Sequence, residues 1–334
     1  MKIYFISIFI LLTGFCHSQN LIVTSKFIAI SLDDELKIID KKSMSIVYKS
    51  EIDSRSSAQN LFISADSSKI WYQNSFDYFC LDTKTWKAEK KMSGTNVFAF
   101  NPSSGNRYCI HSENYEDQFT STLYDANTGE LYKKVSYPAN AFLSDVAFDE
   151  KTGLLYQLSR NYSSETESDQ TFDFPENAQE VEQILRNDGE ESELVVYDVT
   201  NDKIIVQKSI YYSPQSACDF AFIKGYPYFI TSLGSAKIES DFSLTILPMA
   251  PSSSTIGYTV IESTLIGFSF FEVFKMDCST MSFSLPEELH DDILTCETLS
   301  AAADGKIYFL KGDVILVFQP SDFLNTIQTI EIPE

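Results

Sequence analysis

The feature that most constrains this chain is a repeated unit in which an apolar strand ends in Asp, turns, and continues as a second strand. Its fullest copy spans residues 121–137, STLYDANTGELYKKVSY. Asp125 can accept a hydrogen bond from the backbone two residues further on, and Gly129 can adopt a positive φ. The unit is therefore a hairpin between two strands of period two.

The spacing of the copies indicates how the chain is organised. Successive units are separated by 42, 43, 73, 43, 36 and 44 residues, and the long step contains an extra segment of about thirty residues. A period of roughly 40–45 residues built from short strands is typical of a β-propeller blade with four strands. We therefore predict an all-β, seven-bladed β-propeller of four-stranded antiparallel blades. The units turn at Asp40, Asp82, Asp125, Asp198 and Asp277, with weaker copies at Asp241 and Ser321.

A second series of turns has the same period and supports the same architecture. These turns are rich in Asp, Asn, Gly and Pro, and each one fits the hairpin between the first and second strands of a blade, A and B. They lie at residues 66–69, 101–105, 149–153, 224–227 and 303–306.

Two segments of the chain are not assigned by the repeat. Residues 175–186, PENAQEVEQILR, have an early Pro and apolar residues at helical spacing, which predicts a short helix inserted in blade four. Residues 21–24, LIVT, either open blade one or pair into the last blade as a closing strand, and the sequence leaves both arrangements open.

The first residues have the pattern of a secretory signal peptide. Residues 1–18 contain one lysine, then the apolar run IYFISIFILLTGF, then small residues suited to cleavage near Ser18. A lipoprotein is disfavoured because Phe15 precedes Cys16 where a small residue is needed. We expect a mature chain of residues 19–334 that is secreted, periplasmic or on the cell surface, and that has no transmembrane segment.

Charge and cysteine content exclude several classes of function. The formal net charge is −22, so nucleic acid and anionic membranes are disfavoured partners. Five cysteines remain after the signal peptide, at irregular spacing and without a CxxC pair, so they do not form a disulfide framework. We expect most of them to be small buried apolar residues, while one disulfide of unassigned pairing stays open.

The turn sequences carry a family resemblance. The units KKSMSIV, TKTWKAE and ANTGELY follow strand-ending Asp residues, and residues 125–130 match a D-x-x-T-G-[EK] turn. The chain resembles the bacterial secreted seven-bladed propellers of the YVTN/WD40-like group over essentially all of its mature length. This resemblance implies ligand or protein binding at least as often as catalysis. It assigns no catalytic residue here, because the matching residues are structural turns.

Few residues offer metal or nucleophile chemistry. The standard phosphate, dinucleotide, zinc-protease, nucleophile-elbow and EF-hand motifs are missing, and only His111 and His290 remain in the mature chain. His290 lies in ELHDD, which is typical of a solvated loop. The alternative is that His290 joins Tyr211 and Tyr212 in lining a small-ligand pocket, although paired tyrosines at strand ends are more often packing residues.

An acidic insertion is the most informative departure from the repeat. Residues 161–193 lie between strands B and C of blade four and carry eleven acidic residues against one basic residue, Arg186. Residues 112–120 form a smaller excursion at the equivalent place in blade three. Both B-to-C connections would emerge on one rim. They predict an acidic lobe with exposed aromatic residues Tyr115, Phe119, Tyr162, Phe172 and Phe174.

Three interpretations of the lobe compete. It is a surface insertion without a partner, a docking surface for a protein or peptide, or a calcium site. No fixed ligand spacing supports the calcium site, and no other cofactor is expected. Its ligands would be Asp169, Asp173, Asp188, Glu190 and Glu191.

These observations favour a binding or scaffold module with an extracellular or periplasmic protein or peptide as partner, and we expect a monomer. The alternative is a propeller enzyme of the lactonase, lyase or quinone-dependent dehydrogenase type. Such an enzyme would bring several acidic or histidine side chains together at the mouth of the central channel, whereas a binding module would present a rim of aromatic residues.

Overall fold

The strands in the described part of the chain form seven four-stranded antiparallel sheets, each with its strands in sequence order. The fold is therefore the all-β, seven-bladed propeller that the repeat predicts. The computed structural model describes residues 21–32, 34–52, 61–75, 77–93, 97–102, 104–115, 118–138, 142–160, 191–211, 218–231, 234–248, 257–261, 263–268, 273–278, 280, 282–286, 288–296, 298–301 and 304–333. The predicted signal peptide and the predicted helix at residues 175–186 lie outside these residues.

Four of the blades belong to one compact unit, which we call unit one. Blade one contains β1 (Leu21–Val23), β2 (Phe27–Leu32), β3 (Glu35–Asp40) and β4 (Ser45–Glu51). Blade two contains β5 (Leu61–Ile63), β6 (Lys69–Asn74), β7 (Asp77–Asp82) and β8 (Lys87–Ser93). Blade six contains β21 (Gly257–Ile261), β22 (Thr264–Phe268), β23 (Val273–Asp277) and β24 (Ser282–Ser284). Blade seven contains β25 (Thr298–Ala301), β26 (Ile307–Lys311), β27 (Val314–Phe318) and β28 (Gln328–Glu331), and a turn of 3-10 helix at Ile293–Thr295 precedes it.

The other three blades belong to unit two. Blade three contains β9 (Val97–Pro102), β10 (Tyr108–Tyr115), β11 (Gln118–Asp125) and β12 (Glu130–Pro138). Blade four contains β13 (Phe142–Asp149), β14 (Leu154–Arg160), β15 (Glu191–Asp198) and β16 (Lys203–Tyr211). Blade five contains β17 (Cys218–Ile223), β18 (Tyr226–Thr231), β19 (Gly234–Ile238) and β20 (Leu244–Pro248).

The repeated Asp is a structural turn residue at the end of the third strand, C. In blade two, Oδ1 of Asp82 accepts the backbone N–H groups of Lys84 at 2.9 Å and Thr85 at 2.8 Å. The next residue, Thr83, donates its N–H to the carbonyl of Ser68 in the A-to-B turn, at 3.0 Å. The Asp turn is thereby fastened to the other hairpin of the same blade. The same backbone bond runs from Lys41 to Lys26, from Ala126 to Arg107, from Val199 to Gly153 and from Cys278 to Ser263.

The two weaker copies differ in detail from the prediction. Asp241 does form a turn, because its Oδ1 accepts the N–H of Ser243 at 2.9 Å, but it lies three residues beyond β19. In blade seven the turn residue is Asp322, not Ser321. Its Oδ1 accepts the N–H groups of Leu324 and Asn325 at 2.9 and 3.1 Å.

The first and last blades of the chain pack on each other without exchanging a strand. β1 pairs with β2, and β28 pairs with β27, so residues 21–23 open blade one and do not complete blade seven. An apolar cluster of fully or almost fully buried side chains joins the two blades; it includes Val23, Ile30, Leu310 and Ile330. This decides between the two arrangements that the sequence leaves open.

Within unit two, each face of blade four packs on a different neighbour. Leu155 contacts a cluster shared with blade three, whereas the next residue, Tyr156, contacts a cluster shared with blade five. This follows from the alternation of side chains along a strand. Residues of β14 with odd numbers therefore face blade three.

Four of the cysteines are buried, namely Cys80, Cys109, Cys278 and Cys296. This agrees with the expectation that most cysteines are small core residues. Burial raises the pKa of the Cys80 thiol to about 11, so this thiol is protonated and unreactive at neutral pH.

Candidate functional site

The ends of two neighbouring hairpins in unit two, which we call the B–C rim, define the candidate site. In blade three, β10 and β11 stay paired as far as Tyr115 and Gln118. In blade four, β14 and β15 stay paired as far as Arg160 and Ser192. The smaller excursion predicted at residues 112–120 is therefore mostly a longer hairpin. The acidic insertion is narrower than predicted, because residues 191–193 belong to β15.

The predicted aromatic residues of the lobe are only partly described. Tyr115 lies at the end of β10 opposite Gln118. Phe119 is 1% exposed and packs in the cluster between blades three and four, so the prediction that it is an exposed lobe residue is wrong. The reason is that the strand pairing continues past Phe119 and turns its ring toward the next blade. Tyr162, Phe172 and Phe174 lie outside the described residues.

The predicted calcium ligands also lie mostly outside the described residues, as Asp169, Asp173, Asp188 and Glu190 do. Glu191 is the first residue of β15, paired with Tyr211, and not a loop residue. No group of three or more His, Cys, Asp or Glu residues that could hold a metal ion is present in the part of the chain that the structure describes.

A set of polar side chains lies between blades three and four, within an otherwise apolar contact. We call it the interblade polar layer. On the blade-three side, the hydroxyls of Ser112 and Ser121 are 2.8 Å apart. On the blade-four side, the hydroxyl of Ser159 donates to the carbonyl of Glu193 at 3.4 Å. The remaining members of the layer are Tyr137 and Gln157.

Gln157 is the most unusual member of this layer. It is completely buried, and neither its amide nitrogen nor its amide oxygen has a hydrogen-bond partner among the described residues. Its cross-strand neighbours are Val146 and Val195, both members of the cluster shared with blade three. An unsatisfied buried polar group costs about 1–3 kcal/mol, so native proteins rarely retain one.

Tyr137 faces the same contact from blade three. It is 3% exposed, its ring stacks on that of Tyr197 with centroids 5.6 Å apart, and its hydroxyl has no partner among the described residues. Burial, followed by the charge of Glu193 and the proximity of Tyr197, raises the pKa of the Tyr137 hydroxyl far above its usual value. The phenol therefore stays protonated and can donate a hydrogen bond.

His111 occupies the opposite face of β10 from Ser112. Burial, with a smaller effect of the Lys134 charge, lowers the pKa of His111 to about 4. The Glu113 carboxylate is 3.9 Å from Nε2 and would favour the imidazolium form, but desolvation dominates. His111 is thus a neutral imidazole at physiological pH.

Asp145 connects the first strands of blades four and five. It is almost fully buried, and its carboxylate accepts the backbone N–H of Val146 at 2.7 Å and that of Phe220 at 2.5 Å. Both bonds go to β-strand backbone, so Asp145 acts as a structural link between adjacent blades.

Among the three predicted pocket residues, His290 is the one whose side chain is described. His290 is half-buried in the segment before blade seven, where its Nδ1 accepts the N–H of Asp292 at 3.2 Å and its ring lies edge-on to Phe318. The hydrogen bond from Lys311 is the largest of the effects that lower the pKa of the Asp292 carboxyl. Tyr211 ends β16, and Tyr212 lies outside the described residues. The pocket stays a prediction.

Three residues of unit two were not singled out by the sequence patterns, namely Tyr137, Asp145 and Gln157. A signal did exist for Gln157, because β14 reads LLYQLSR and the amide occupies a position where alternation requires an apolar side chain. Nothing comparable marks Tyr137, whose hydroxyl is enclosed only by the packing of the next blade.

Comparison with known proteins shows the fold but no family. No protein-family model and no curated protein matches the chain. Among solved structures, the hydrazine synthase of Kuenenia stuttgartiensis matches with a TM-score of 0.59 and 9% identity over 90% of this chain and 95% of that chain. Apo AztD from Citrobacter koseri matches with a TM-score of 0.57 and 14% identity, covering 92% of this chain and 94% of that one.

The WD40 repeats of RRP9 also match, with a TM-score of 0.52 and 10% identity over 81% of this chain and 80% of that chain. At such identities the likeness concerns the fold alone, and an enzyme and a WD40-repeat protein are both among the neighbours. No helix among the described residues is both long and apolar enough to cross a membrane. The chain is thus a seven-bladed propeller with propeller and WD40-like structural neighbours.

Proposed function

We propose that this protein is a secreted or periplasmic binding module whose B–C rim docks an extracellular or periplasmic protein or peptide that carries a basic segment. The observation that carries the proposal is the pair of neighbouring hairpins at this rim. They bring the ends of β10–β11 and β14–β15 to adjacent blades, and the strongly acidic residues 161–190 connect the second pair.

The charge of the connecting segment selects the chemistry of the partner. Residues 161–190 carry nine acidic residues and one basic residue. A concentration of one charge sign attracts the opposite sign, raises the association rate, and makes binding sensitive to salt. Since Phe119 is buried, the docking surface rests on this charge and not on that side chain.

The proposal is tested by removing the segment without disturbing the blade. Arg160 and Ser192 are paired neighbours on β14 and β15, so a short Gly-Ser linker can replace residues 161–190 and keep the hairpin. The mature chain and this variant are immobilised, exposed to secreted proteins of the source organism, and washed at low and high salt. We expect a partner that the mature chain retains at low salt, that high salt releases, and that the variant does not retain.

Two controls make the result specific. A Leu131→Ser variant, which changes an exposed residue near the opposite end of blade three, should retain the same partner. Repeating the binding in EDTA and in excess calcium shows whether a metal is needed. Equal retention by the linker variant, in a folded state confirmed by circular dichroism, would contradict docking at this rim.

A further inference from the structure

The contact between blades three and four contains hydrogen-bonding groups that no described residue pairs. Gln157 offers one donor group and one acceptor, both buried and unpaired among the described residues. The Tyr137 hydroxyl is likewise buried and unpaired. The two residues face the same apolar cluster from opposite blades.

Several contacts place these two residues on the same face of β15. Gln157 lies directly opposite Val195 on β15. Tyr137 stacks on Tyr197, two residues along that strand, and its hydroxyl experiences the charge of Glu193, two residues in the other direction. Tyr137 and Gln157 therefore both lie against the face of β15 that carries Glu193, Val195 and Tyr197.

A molecule that satisfies these groups has defined chemistry. It must accept a hydrogen bond from the Gln157 amide nitrogen and donate one to the amide oxygen, while the Tyr137 phenol can donate or accept. We propose that the interblade polar layer binds a small neutral molecule that both donates and accepts hydrogen bonds, held by Gln157 and Tyr137. Water and a small organic amide or alcohol are the two sources of this chemistry.

Charge and size restrict the ligand further. An ion is disfavoured because Val146, Val195 and Leu155 surround Gln157, and a charge in such surroundings is strongly desolvated. The Glu193 carboxylate is already bonded, since it accepts a hydrogen bond from Gln207 at 2.8 Å. A large molecule is disfavoured because Gln157 and Tyr137 are both buried against a closely packed apolar cluster.

The deciding measurement is a crystal structure of the mature chain at a resolution that shows ordered water. We expect density within about 2.6–3.2 Å of both the Gln157 amide and the Tyr137 hydroxyl. A single peak of electron density, together with no added mass in native mass spectrometry, identifies water. Larger electron density, together with an added mass in native mass spectrometry, identifies an organic ligand. Absence of density there, or an amide bonded directly to protein, overturns the proposal.

Substitutions test the proposal independently, because the thermal midpoint of unfolding should fall if a molecule is bound and rise if the amide is unpaired. If a molecule bridges the two residues, Gln157→Leu and Tyr137→Phe each lower the thermal midpoint, by about 2–4 °C. If the amide is truly unpaired, Gln157→Leu raises the midpoint, and this result would also overturn the proposal. Gln328→Leu, which removes an exposed amide from β28 in blade seven, is the matched control and should shift the midpoint less. Should a variant fail to fold, the structure of the unaltered chain still decides.

Discussion

At the scale of single residues, the Asp turns of blades one to four share one backbone conformation, although the residue that adopts it differs from blade to blade. The residue four positions after Asp40, Asp82, Asp125 and Asp198 always has positive φ, yet it is Met44, Trp86, Gly129 and Asp202 in turn. Only Gly129 adopts this conformation without steric cost. The Asp side chain, bonded to two backbone N–H groups, fixes the turn strongly enough to hold the others.

His111 leads to a prediction about pH. Its pKa of about 4 in the folded protein lies below the value of about 6.5 in an unfolded chain, so the unfolded state binds more protons between these values. Stability should therefore fall as pH decreases from about 6.5 to about 4, by about 3 kcal/mol in total. Urea unfolding at a series of pH values measures this slope.

The matched variants for this experiment are His111→Gln and His290→Gln. The first should abolish the loss of stability between pH 6.5 and pH 5, where the carboxyls with lowered pKa values, such as Asp40, Asp198 and Asp322, are still ionised. The second is the control for replacing an imidazole by an amide, because His290 is only partly buried. A slope that survives in His111→Gln would show that another group titrates there.

At the scale of elements, the outer strands of blades three and four combine exposed apolar residues with lysines. β12 is an edge strand and exposes Leu131 and Tyr132, followed by Lys133 and Lys134. Lys133 also forms an ion pair with Asp202 of blade four, at 3.2 Å. Lysines on an edge oppose pairing with a second sheet, because pairing would desolvate their charge.

We predict that Lys133→Val together with Lys134→Val makes the protein self-associate. The change extends the apolar residues of β12 without interruption from Leu131 to Val135, which is a template for edge-to-edge pairing. Sedimentation velocity over a range of concentrations should show a larger species that the unaltered chain lacks. The double variant with Gln at both positions removes the same charges but keeps the edge polar; if it associates equally, the loss of charge alone is responsible.

At the scale of the whole molecule, a buried apolar cluster joins the two terminal blades. Polar contacts flank it: the Lys41 ammonium is 3.2 Å from the Tyr308 hydroxyl and 3.5 Å from the Asp304 carboxylate, which in turn accepts a 2.8 Å bond from Tyr308. The Lys41 pair is partly exposed, so it contributes little by itself. Apolar packing between blades one and seven therefore supplies most of the stabilisation there.

We predict that Ile30→Ala lowers the free energy of unfolding by about 2–5 kcal/mol, because Ile30 is completely buried between blades one and seven. Ile327→Ala, at an exposed position of blade seven, is the control and should change it by less than about 0.5 kcal/mol. Urea unfolding followed by tryptophan fluorescence measures both. Similar small effects for the two variants would show that packing between the terminal blades does not limit stability.

The sequence alone determined the number of blades, the sheet class and most of the turns that begin at an Asp, because hairpins depend on contacts between residues close in the chain. It misplaced Phe119, and it assigned the blade-seven turn to Ser321 when the acid that forms it is Asp322. Only the tertiary structure decided that residues 21–23 open blade one, and that Gln157 and Tyr137 are both buried with polar atoms that no described residue pairs. These outcomes depend on which blade packs against each strand, and that contact joins residues far apart in the chain.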